Sequence, residues 1–156
     1  MSDSGSTASE SGQPSVPERF KLAIPVLGSD IDVNGHVNNV VYVRWVQDAA
    51  TAHWNARTSD AEKALVVWVV LRHEIDYRLA ALPGDTILAV TWVGPASRHA
   101  YERNTELRRG RDGEVLARAR TLWCPLGPGS SRPVRLPQGL RDRFSTPGPL
   151  EPRIHR

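Results

Sequence analysis

The sequence predicts an α+β fold in which an antiparallel sheet curves around one long helix. Three observations favour this class. Only one apolar segment has the length of a long helix, and it lies in the first half of the chain. The segments before and after it have the short β-branched or alternating patterns of strands. Turns that contain glycine join the later strands directly, as in antiparallel hairpins.

The long helix is predicted over residues 39–56, after a first strand at residues 19–27. At ~1.5 Å per residue it would be about 27 Å long, enough to cross a small domain. Asn38 or Asn39 would cap it by accepting a hydrogen bond from a first-turn N–H group. Apolar residues extend around nearly the whole circumference, so we expect the helix to be buried on most sides. These residues are Val40, Val41, Val43, Trp45, Val46, Ala49, Ala50, Ala52 and Trp54.

The remaining predicted elements are strands and one final helical turn. Residues 64–78 are β-branched at first and then alternate, which indicates a strand that is buried on both faces early and half-exposed later. Gly84 and Gly113 mark turns, and Gly94 with Pro95 is predicted to end a strand. In chain order the elements are strands at 64–78, 86–93, 99–109, 114–124 and 134–136, and a helical turn at 138–144.

One folded domain is predicted, over residues 18–144. Residues 1–17 are rich in Ser, Gly, Thr and Pro and have almost no large apolar side chain. They would bury too little surface to offset the entropy of ordering, so a disordered tail is predicted. The proline-containing residues 145–156 are predicted to form a flexible tail for the same reason.

Composition narrows the classes of function. The net charge is +3, from 20 basic and 17 acidic residues, and the basic residues are nearly all arginines scattered along the chain. Arginine suits phosphate and carboxylate ligands, but no basic segment is interleaved with aromatic residues, so nucleic-acid binding is not predicted. The richness in Arg, Ala, Val and Pro is typical of bacterial proteins from GC-rich genomes.

Compartment and metal content follow from a few residue types. No apolar segment approaches the ~20 residues that span a bilayer, so no membrane partner is predicted. Cys124 is the single cysteine and no apolar leader is evident, which predicts a cytoplasmic protein. The five histidines lack the close paired spacing of zinc ligands, so no metal is predicted.

A polar loop lies directly before the helix and contains the best candidates for chemistry. Asp32, Asn34 and His36 supply a carboxylate, an amide and an imidazole. The start of a helix has free N–H groups and a partial positive charge. It would stabilise a carboxylate and a carbonyl oxygen that develops negative charge. The pattern therefore favours acyl chemistry at this helix start.

The order of elements occurs together with the motif Asp32-x-Asn34-x-His36-Val37-Asn38-Asn39-x-x-Tyr42, and with residues 73–78 and 83–85. This combination resembles the hotdog-fold thioesterases, in particular the 4-hydroxybenzoyl-CoA thioesterase-like acyl-CoA thioesterase family. The resemblance implies a sheet wrapped around a central helix and hydrolysis of an acyl or aryl thioester to a carboxylate and a free thiol, with no bound cofactor. It implies acyl-CoA or an acyl carrier protein thioester as substrate, and a homodimer or homotetramer with its sites at the dimer interface.

The resemblance assigns roles to the loop residues. In the family, the aspartate that matches Asp32 is the catalytic carboxylate, and it could attack the thioester carbonyl or activate water. A simpler interpretation is that Asp30 or Asp32 only closes an Asx-turn. Asn34 and His36 match the motif of plant acyl-carrier-protein thioesterases and would assist catalysis, although either could instead brace the loop.

Other residues are expected to contact substrate. Trp45, Trp54 and Trp68 could line an acyl tunnel or belong to the core, and Glu74 or Asp76 could assist the reaction. For Tyr42 a core position is the alternative, and for Asn38 and Asn39 a capping role. The predicted substrate-binding residues are Gly35, Asn38, Asn39, Tyr42 and Arg98, with Arg72 and Arg103 as further candidates for CoA phosphates.

Two rival functions remain open from the sequence. An acyl-CoA hydratase or dehydratase on the same fold would place a histidine and an acid around the β-carbon of an acyl chain. A non-catalytic acyl-CoA-binding module would hold the ligand at the helix start without cleaving it. The thioesterase-like spacing of Asn34 and His36 disfavours the first, and the lack of an appended DNA-binding domain disfavours a sensor.

Overall fold

The computed structural model describes residues 15–97 and 99–147. In this part of the chain, a five-stranded antiparallel sheet is accompanied by a two-stranded ladder and three α-helices. The strands are β1 (Ser15–Pro17), β2 (Phe20–Pro25), β3 (Val67–Tyr77), β4 (Thr86–Ala96), β5 (Tyr101–Arg109), β6 (Val115–Leu126) and β7 (Ser145–Pro147). The helices are α1 (Asn39–Arg57), α2 (Asp60–Lys63) and α3 (Gln138–Asp142).

The main sheet has the order β2-β4-β5-β6-β3, and all neighbouring strands are antiparallel. Gly84 precedes β4 with φ of +82°, and Gly113 joins β5 to β6 with φ of +74°. Both lie at predicted turns, where a positive φ favours glycine. The edge strands are β2 and β3, so one side of each has backbone groups without a strand partner among the described residues.

Helix α1 begins at the predicted residue and ends one residue later than predicted. Asn38 is its N-cap, because its side-chain oxygen Oδ1 accepts a hydrogen bond from Val40 N–H at 3.0 Å. The buried face of α1 includes Trp45 and Val46, which pack with residues of β4, β5 and β6 in the main core. This confirms the α+β arrangement of one long helix against an antiparallel sheet.

The prediction that α1 is buried on most sides is wrong for the single chain. Arg44, Gln47, Thr51 and Asn55 are exposed, and Val40 is 73% exposed. Positions three and four residues apart lie on one face of a helix, so these residues form an open stripe. One face of α1 packs on the sheet and the other faces away from it.

Strand β4 does not end at Gly94 and Pro95, as the sequence predicted, but continues to Ala96. Its pairing with β5 shifts register between Val93 and Ala96. Such an irregularity accommodates a proline, which has no N–H group to donate to the ladder.

Two further local predictions are corrected. Residues 134–136 form no strand, and the pairing in this region is an isolated bridge between Leu126 and Pro133. The short helix α2 was not predicted, although Ser59 and Glu62 form a capping box at its start.

A short ladder lies at the predicted domain boundaries. Strands β1 and β7 pair antiparallel, and Glu18 N–H donates to the carbonyl oxygen of Phe144 at 2.9 Å. Ordered backbone pairing therefore extends three residues beyond each end of the predicted 18–144 domain. The rest of the predicted tails, 1–14 and 148–156, lies outside the described residues.

Candidate active site

The loop before α1 is closed by its own backbone. Ile31 and Val37 form an antiparallel bridge, and Asp32 N–H donates to the carbonyl oxygen of His36 at 2.8 Å. Gly35 N–H donates to the carbonyl oxygen of Asp32 at 3.1 Å, and Gly35 has φ of +77°. Glycine is favoured at this φ, so the tight turn accounts for its presence. The loop therefore presents its side chains from a defined backbone conformation.

The Asp32 carboxylate has one engaged oxygen and one open oxygen. Its Oδ1 accepts hydrogen bonds from Asn34 N–H at 2.9 Å and His36 N–H at 3.4 Å. The first of these bonds is the Asx-turn that the simpler interpretation expected. Oδ2 has no hydrogen-bond partner among the described residues, and the side chain is only half-buried. The turn thus orients the carboxylate and leaves its second oxygen available.

The side chains of Asn34 and His36 are exposed on the same loop. Asn38 is engaged as the helix cap, which is the structural role considered for it. The N–H groups at the start of a helix lack intrahelical acceptors and carry partial positive charge. The structure therefore places Asp32, Asn34 and His36 on one tight turn that leads into α1.

Asp30 anchors the start of the loop to the backbone before it and to helix α1. It is 1% exposed, its Oδ2 accepts from Leu27 N–H at 2.9 Å and its Oδ1 accepts from Arg44 Nη2 at 2.8 Å. Burial opposes its charge, but the hydrogen bonds from Arg44 and Leu27 outweigh that effect and lower the pKa of Asp30. Sequence analysis missed the Arg44 partner, because it lies 14 residues away on the helix.

Tyr42 braces the site and does not face it. It is 2% exposed, and its hydroxyl oxygen accepts from Ala81 N–H at 2.7 Å. The core position that was the alternative for Tyr42 is therefore the one observed, and its assignment as a substrate-binding residue is corrected. Ala81 also accepts from Val37 N–H at 3.1 Å, so one backbone unit holds both the loop and the helix.

The helix start lies beside the end of edge strand β3. The Tyr77 hydroxyl donates to the carbonyl oxygen of Asn39 at 3.1 Å, and the rings of Tyr42 and Tyr77 meet edge to face at 5.2 Å. Tyr77 remains 46% exposed and Val40 73% exposed, and Val33 is fully exposed. The candidate site thus lies on an open, partly apolar side of the chain.

Several other predicted residues do not join the Asp32 loop. Glu74 and Asp76 are exposed, and they alternate with Ile75, which packs against the core, so they lie on the outer sheet face. Arg72 pairs with Glu74 at 2.8 Å, and Arg103 is buried elsewhere. Arg98 lies outside the described residues.

Among the described residues, all hydrogen bonds of Asp32 are with its own loop. Asp32 does not line the cavity of about 450 Å³, which lies along the C-terminal half of α1. Trp54 and Trp68 line that cavity, whereas Trp45 is fully buried in the core, and the acyl tunnel itself stays a prediction. Within a single chain, the Asp32 loop and this cavity are therefore separate features.

The described residues contain no group of three His, Cys, Asp or Glu side chains placed to hold a metal ion. Among the same residues, no helix combines the length and apolar character needed to cross a bilayer.

Sequence analysis also missed a buried polar network around His53, which is 0% exposed on α1. Its Nε2 lies 2.8 Å from Glu18 Oε1 and its Nδ1 lies 2.9 Å from Arg103 Nη1. Arg57 donates to both oxygens of Glu18, at 2.8 Å and 2.9 Å. Because arginine only donates, His53 Nδ1 must accept the hydrogen bond from Arg103. The ring proton is therefore on Nε2, which donates a hydrogen bond to Glu18 Oε1. His53 is therefore held as the neutral imidazole.

Burial, reinforced by the charge of Arg103, lowers the pKa of His53 from 6.5 to about 4, although Glu18 acts in the opposite direction. Between these values the unfolded chain binds a proton that the folded chain excludes. The stability that His53 contributes is thus present above pH 6.5 and is lost as the pH falls towards 4. Burial lowers the pKa of His73 as well, so His73 also contributes stability that is lost as the pH falls.

We expect a change from about pH 8 to about pH 5.5 to reduce the free energy of unfolding by about 1.4 kcal/mol through His53. Urea unfolding at both pH values measures this difference. His53→Gln is expected to be less stable at the higher pH but to lose about 1.4 kcal/mol less on acidification. His73→Gln separates the share of that histidine. An unchanged pH dependence in His53→Gln would contradict the assignment.

Comparison with known proteins gives matches over most of the chain. Residues 26–144 match the model of the thioesterase-like superfamily. An acyl-[acyl-carrier-protein] hydrolase of Cuphea viscosissima chloroplasts is 28% identical over 88 residues, which cover 56% of this chain and 21% of that protein. Oleoyl-acyl carrier protein thioesterase 1 of Arabidopsis thaliana is 27% identical over 99 residues, covering 64% of this chain and 27% of the relative. The chain thus spans about a quarter or less of these curated relatives.

Solved structures are similar over nearly their whole length. A 1,4-dihydroxy-2-naphthoyl-CoA thioesterase from Synechocystis superposes with a TM-score of 0.72 at 20% identity, covering 81% of this chain and 96% of that one. A thioesterase from Thermus thermophilus, solved with coenzyme A and Zn, has a TM-score of 0.69 at 25% identity, covering 86% and 93%. These similarities confirm the predicted hotdog fold.

Proposed function

Because this chain belongs to the thioesterase-like superfamily, we propose that it hydrolyses an acyl or aryl thioester to a carboxylate and a free thiol, with Asp32 as the catalytic carboxylate. The observation that carries the proposal is the hydrogen bonding of the two carboxylate oxygens of Asp32. Two backbone N–H groups hold Oδ1, while Oδ2 has no partner among the described residues, and the loop that carries Asp32 leads directly into α1.

Two routes begin at this open oxygen. In the first, Oδ2 attacks the thioester carbonyl carbon, the tetrahedral oxyanion collapses and the C–S bond breaks, which leaves a mixed anhydride that water opens. In the second, Oδ2 takes a proton from a water molecule as that water attacks the same carbon, and the tetrahedral intermediate then collapses with cleavage of the C–S bond and passage of the proton to the leaving thiolate. Either route ends with a carboxylate and a thiol. Asn38 engages Val40 N–H, so the N–H group of Asn39 and the partial positive charge of the helix start would stabilise the oxyanion.

His36 and Asn34 are proposed to assist. Their side chains are exposed on the loop whose backbone N–H groups hold Asp32. An imidazole can orient water through either ring nitrogen, and an amide can position a carbonyl. Gly35, Asn38 and Asn39 form the surrounding backbone and are proposed to contact substrate.

The substrate is proposed to be a thioester of coenzyme A or of an acyl carrier protein. The similar Thermus thermophilus structure contains coenzyme A, and the curated relatives include acyl carrier protein thioesterases. Arg98 and the exposed Arg72 are proposed to contact the phosphates of coenzyme A, because guanidinium–phosphate hydrogen bonds are strong. A cytosolic location is proposed with this substrate, and the single, buried Cys124 is in keeping with it.

A second copy of the chain is proposed to complete the site, as a homodimer that could assemble further into a tetramer. Strand β3 is an edge strand, and the apolar side chains of Val67, Leu71 and Tyr77 on it are 49%, 58% and 46% exposed. Exposed edges with apolar side chains favour pairing with another strand. Because Tyr77 hydrogen-bonds to Asn39 at the start of α1, a partner paired along β3 would cover the Asp32 loop.

A thiol-release screen tests the activity. Short-chain, long-chain and aromatic CoA esters, and an acyl carrier protein thioester, are incubated with the protein, and the free thiol is measured with a thiol reagent. We expect saturable release with at least one class. Binding of these esters without thiol release would instead favour the acyl-CoA-binding module, and loss of enoyl-CoA absorbance without thiol release would favour a hydratase.

A further inference from the structure

The cavity along the C-terminal half of α1 has the composition of a ligand site. Its volume is about 450 Å³, within the range of small-molecule pockets. It is lined by Thr51, which lies twelve residues beyond Asn39 and so about 18 Å along the helix from the Asp32 end. We call it the tryptophan cavity, defined by Trp54, Trp68, Tyr101, Arg103, Trp123 and Phe144.

Its walls are aromatic rings set mostly edge to face. Trp68 meets Trp54 at 5.4 Å, Tyr101 at 5.7 Å and Trp123 at 6.4 Å between ring centroids, with interplanar angles of 84° to 85°. Such pairs hold one another in fixed orientations and leave ring faces and edges for a further ring. The walls therefore suit a flat, aromatic ligand.

One wall carries a buried cation. Arg103 is 8% exposed, and its Nη1 donates to His53 Nδ1 at 2.9 Å and to Thr91 Oγ1 at 3.2 Å. Its other two guanidinium nitrogens, Nε and Nη2, have no hydrogen-bond partner among the described residues, and no carboxylate there forms an ion pair with it. Burial lowers the pKa of Arg103 to about 10, so the group is still charged at neutral pH.

The network behind the cavity leaves this charge without compensation. Glu18 is the one acid in it, and Glu18 is already bound at both oxygens by Arg57. His53 is neutral, so two guanidinium groups share one carboxylate. A buried cation without a partner is costly, and an anion in the cavity would offset that cost.

The other charged groups that line the cavity have partners. Glu102 accepts from Arg120 Nε at 2.6 Å, and Asp142 accepts from Gln138 at 2.7 Å. Arg141 lies 5.8 Å from the ring centre of Tyr101. Arg103 is therefore the most deeply buried charged group in the lining, and its Nε and Nη2 are free to donate to a ligand.

We propose that the tryptophan cavity binds an aromatic carboxylic acid as its monoanion, with the carboxylate on Nε and Nη2 of Arg103 and the ring among the tryptophans. A guanidinium edge binds a carboxylate through two parallel hydrogen bonds, which sets the orientation of the acid. This site lies at the opposite end of α1 from the Asp32 loop and binds its ligand without catalysis. The inference therefore does not rest on the proposed hydrolysis.

Calorimetric titration with 2-naphthoate tests the proposal, with 2-naphthamide as the neutral analogue of the same shape. We expect saturable binding of one naphthoate per chain and binding of the amide weaker by about tenfold or more, since hydrogen bonds to charged groups are the stronger kind. No binding of naphthoate, or equal binding of the two compounds, would overturn the proposal.

Arg103→Met keeps an unbranched apolar stem and removes the donors, so naphthoate binding is expected to weaken by about tenfold or more. The matched control is Arg118→Met, because Arg118 is an exposed arginine on the same sheet that does not line this cavity, and its binding should equal that of wild type. Unchanged binding in Arg103→Met would overturn the assignment.

Arg103→Lys serves if the methionine variant does not fold. Lysine keeps the positive charge but cannot donate two parallel hydrogen bonds to one carboxylate. Arg103→Lys is therefore expected to bind naphthoate more weakly than wild type does, but still more tightly than it binds naphthamide. Naphthoate binding equal to that of wild type in Arg103→Lys would overturn the guanidinium contact. Asp32→Asn is expected to bind naphthoate normally, which separates this site from the proposed catalytic one.

Discussion

Asp32→Asn is expected to lower the turnover number for thioester hydrolysis by about 10²-fold or more while the fold is retained. Asparagine keeps the side-chain oxygen that accepts from Asn34 N–H and His36 N–H, so the turn should form as before. It removes the negative charge on the open oxygen, so neither attack on the carbonyl nor removal of a proton from water is possible. Steady-state thiol release, with circular dichroism and urea unfolding as controls of fold, measures the effect.

Two variants show that the loss is specific to this carboxylate. Asp60→Asn is the matched control, because the Asp60 side chain is fully exposed on α2, and it should hydrolyse thioesters like wild type. Asp30→Asn removes a charge from a buried ion pair with Arg44 and should mainly reduce stability. Normal hydrolysis by a folded Asp32→Asn protein would remove Asp32 from the catalytic role.

Introducing glutamate at both Val67 and Leu71 is expected to convert a dimer into monomers and to abolish most hydrolysis. Both residues lie on edge strand β3 and are about half exposed in the single chain. If two copies pair along this edge, four glutamates meet at the contact. Like charges there cost several kcal/mol, and about 3 kcal/mol corresponds to on the order of 10²-fold in the dissociation constant.

Sedimentation velocity reports the mass, and the thiol-release assay reports the activity of the same samples. The control introduces two glutamates on the other edge strand, β2, as Lys21→Glu with Ala23→Glu, both at exposed positions. Because a lysine is replaced, it adds even more negative charge to the chain than the β3 variant. That control should stay dimeric and active. A wild-type protein that is monomeric and active at all concentrations would contradict the proposed shared site.

Much of the candidate site could be predicted because its determinants are local. Residues 32–38 form the turn and the helix cap through contacts within seven residues of chain. Asn38 caps α1, Gly35 has φ of +77° and Asp32 closes its turn, each at the position that the sequence predicts. The Asx-turn at Asp32 was also foreseen, as an alternative. Its geometry is equally compatible with catalysis, because it engages only one of the two carboxylate oxygens.

Other assignments failed because they depend on which distant segments meet. Tyr42 was placed among the substrate contacts, but its hydroxyl lies against Ala81, 39 residues away. Arg103 was considered for surface phosphates and instead lies buried beside His53, 50 residues away. No periodicity along the chain reports such pairs, since a strand pattern indicates which residues share a face but not which helix covers them.

The α+β class, the bounds of α1 to within one residue and the turns at Gly84 and Gly113 were predictable from the sequence, because capping, periodicity and glycine conformation act over a few residues. The tertiary structure alone decided that Asp30 pairs with Arg44, that β3 is an edge next to the Asp32 loop, and that Arg103 enters an aromatic cavity. These features depend on burial, which arises only when remote segments pack together. Burial decides how strongly two charges interact and whether a strand edge is covered.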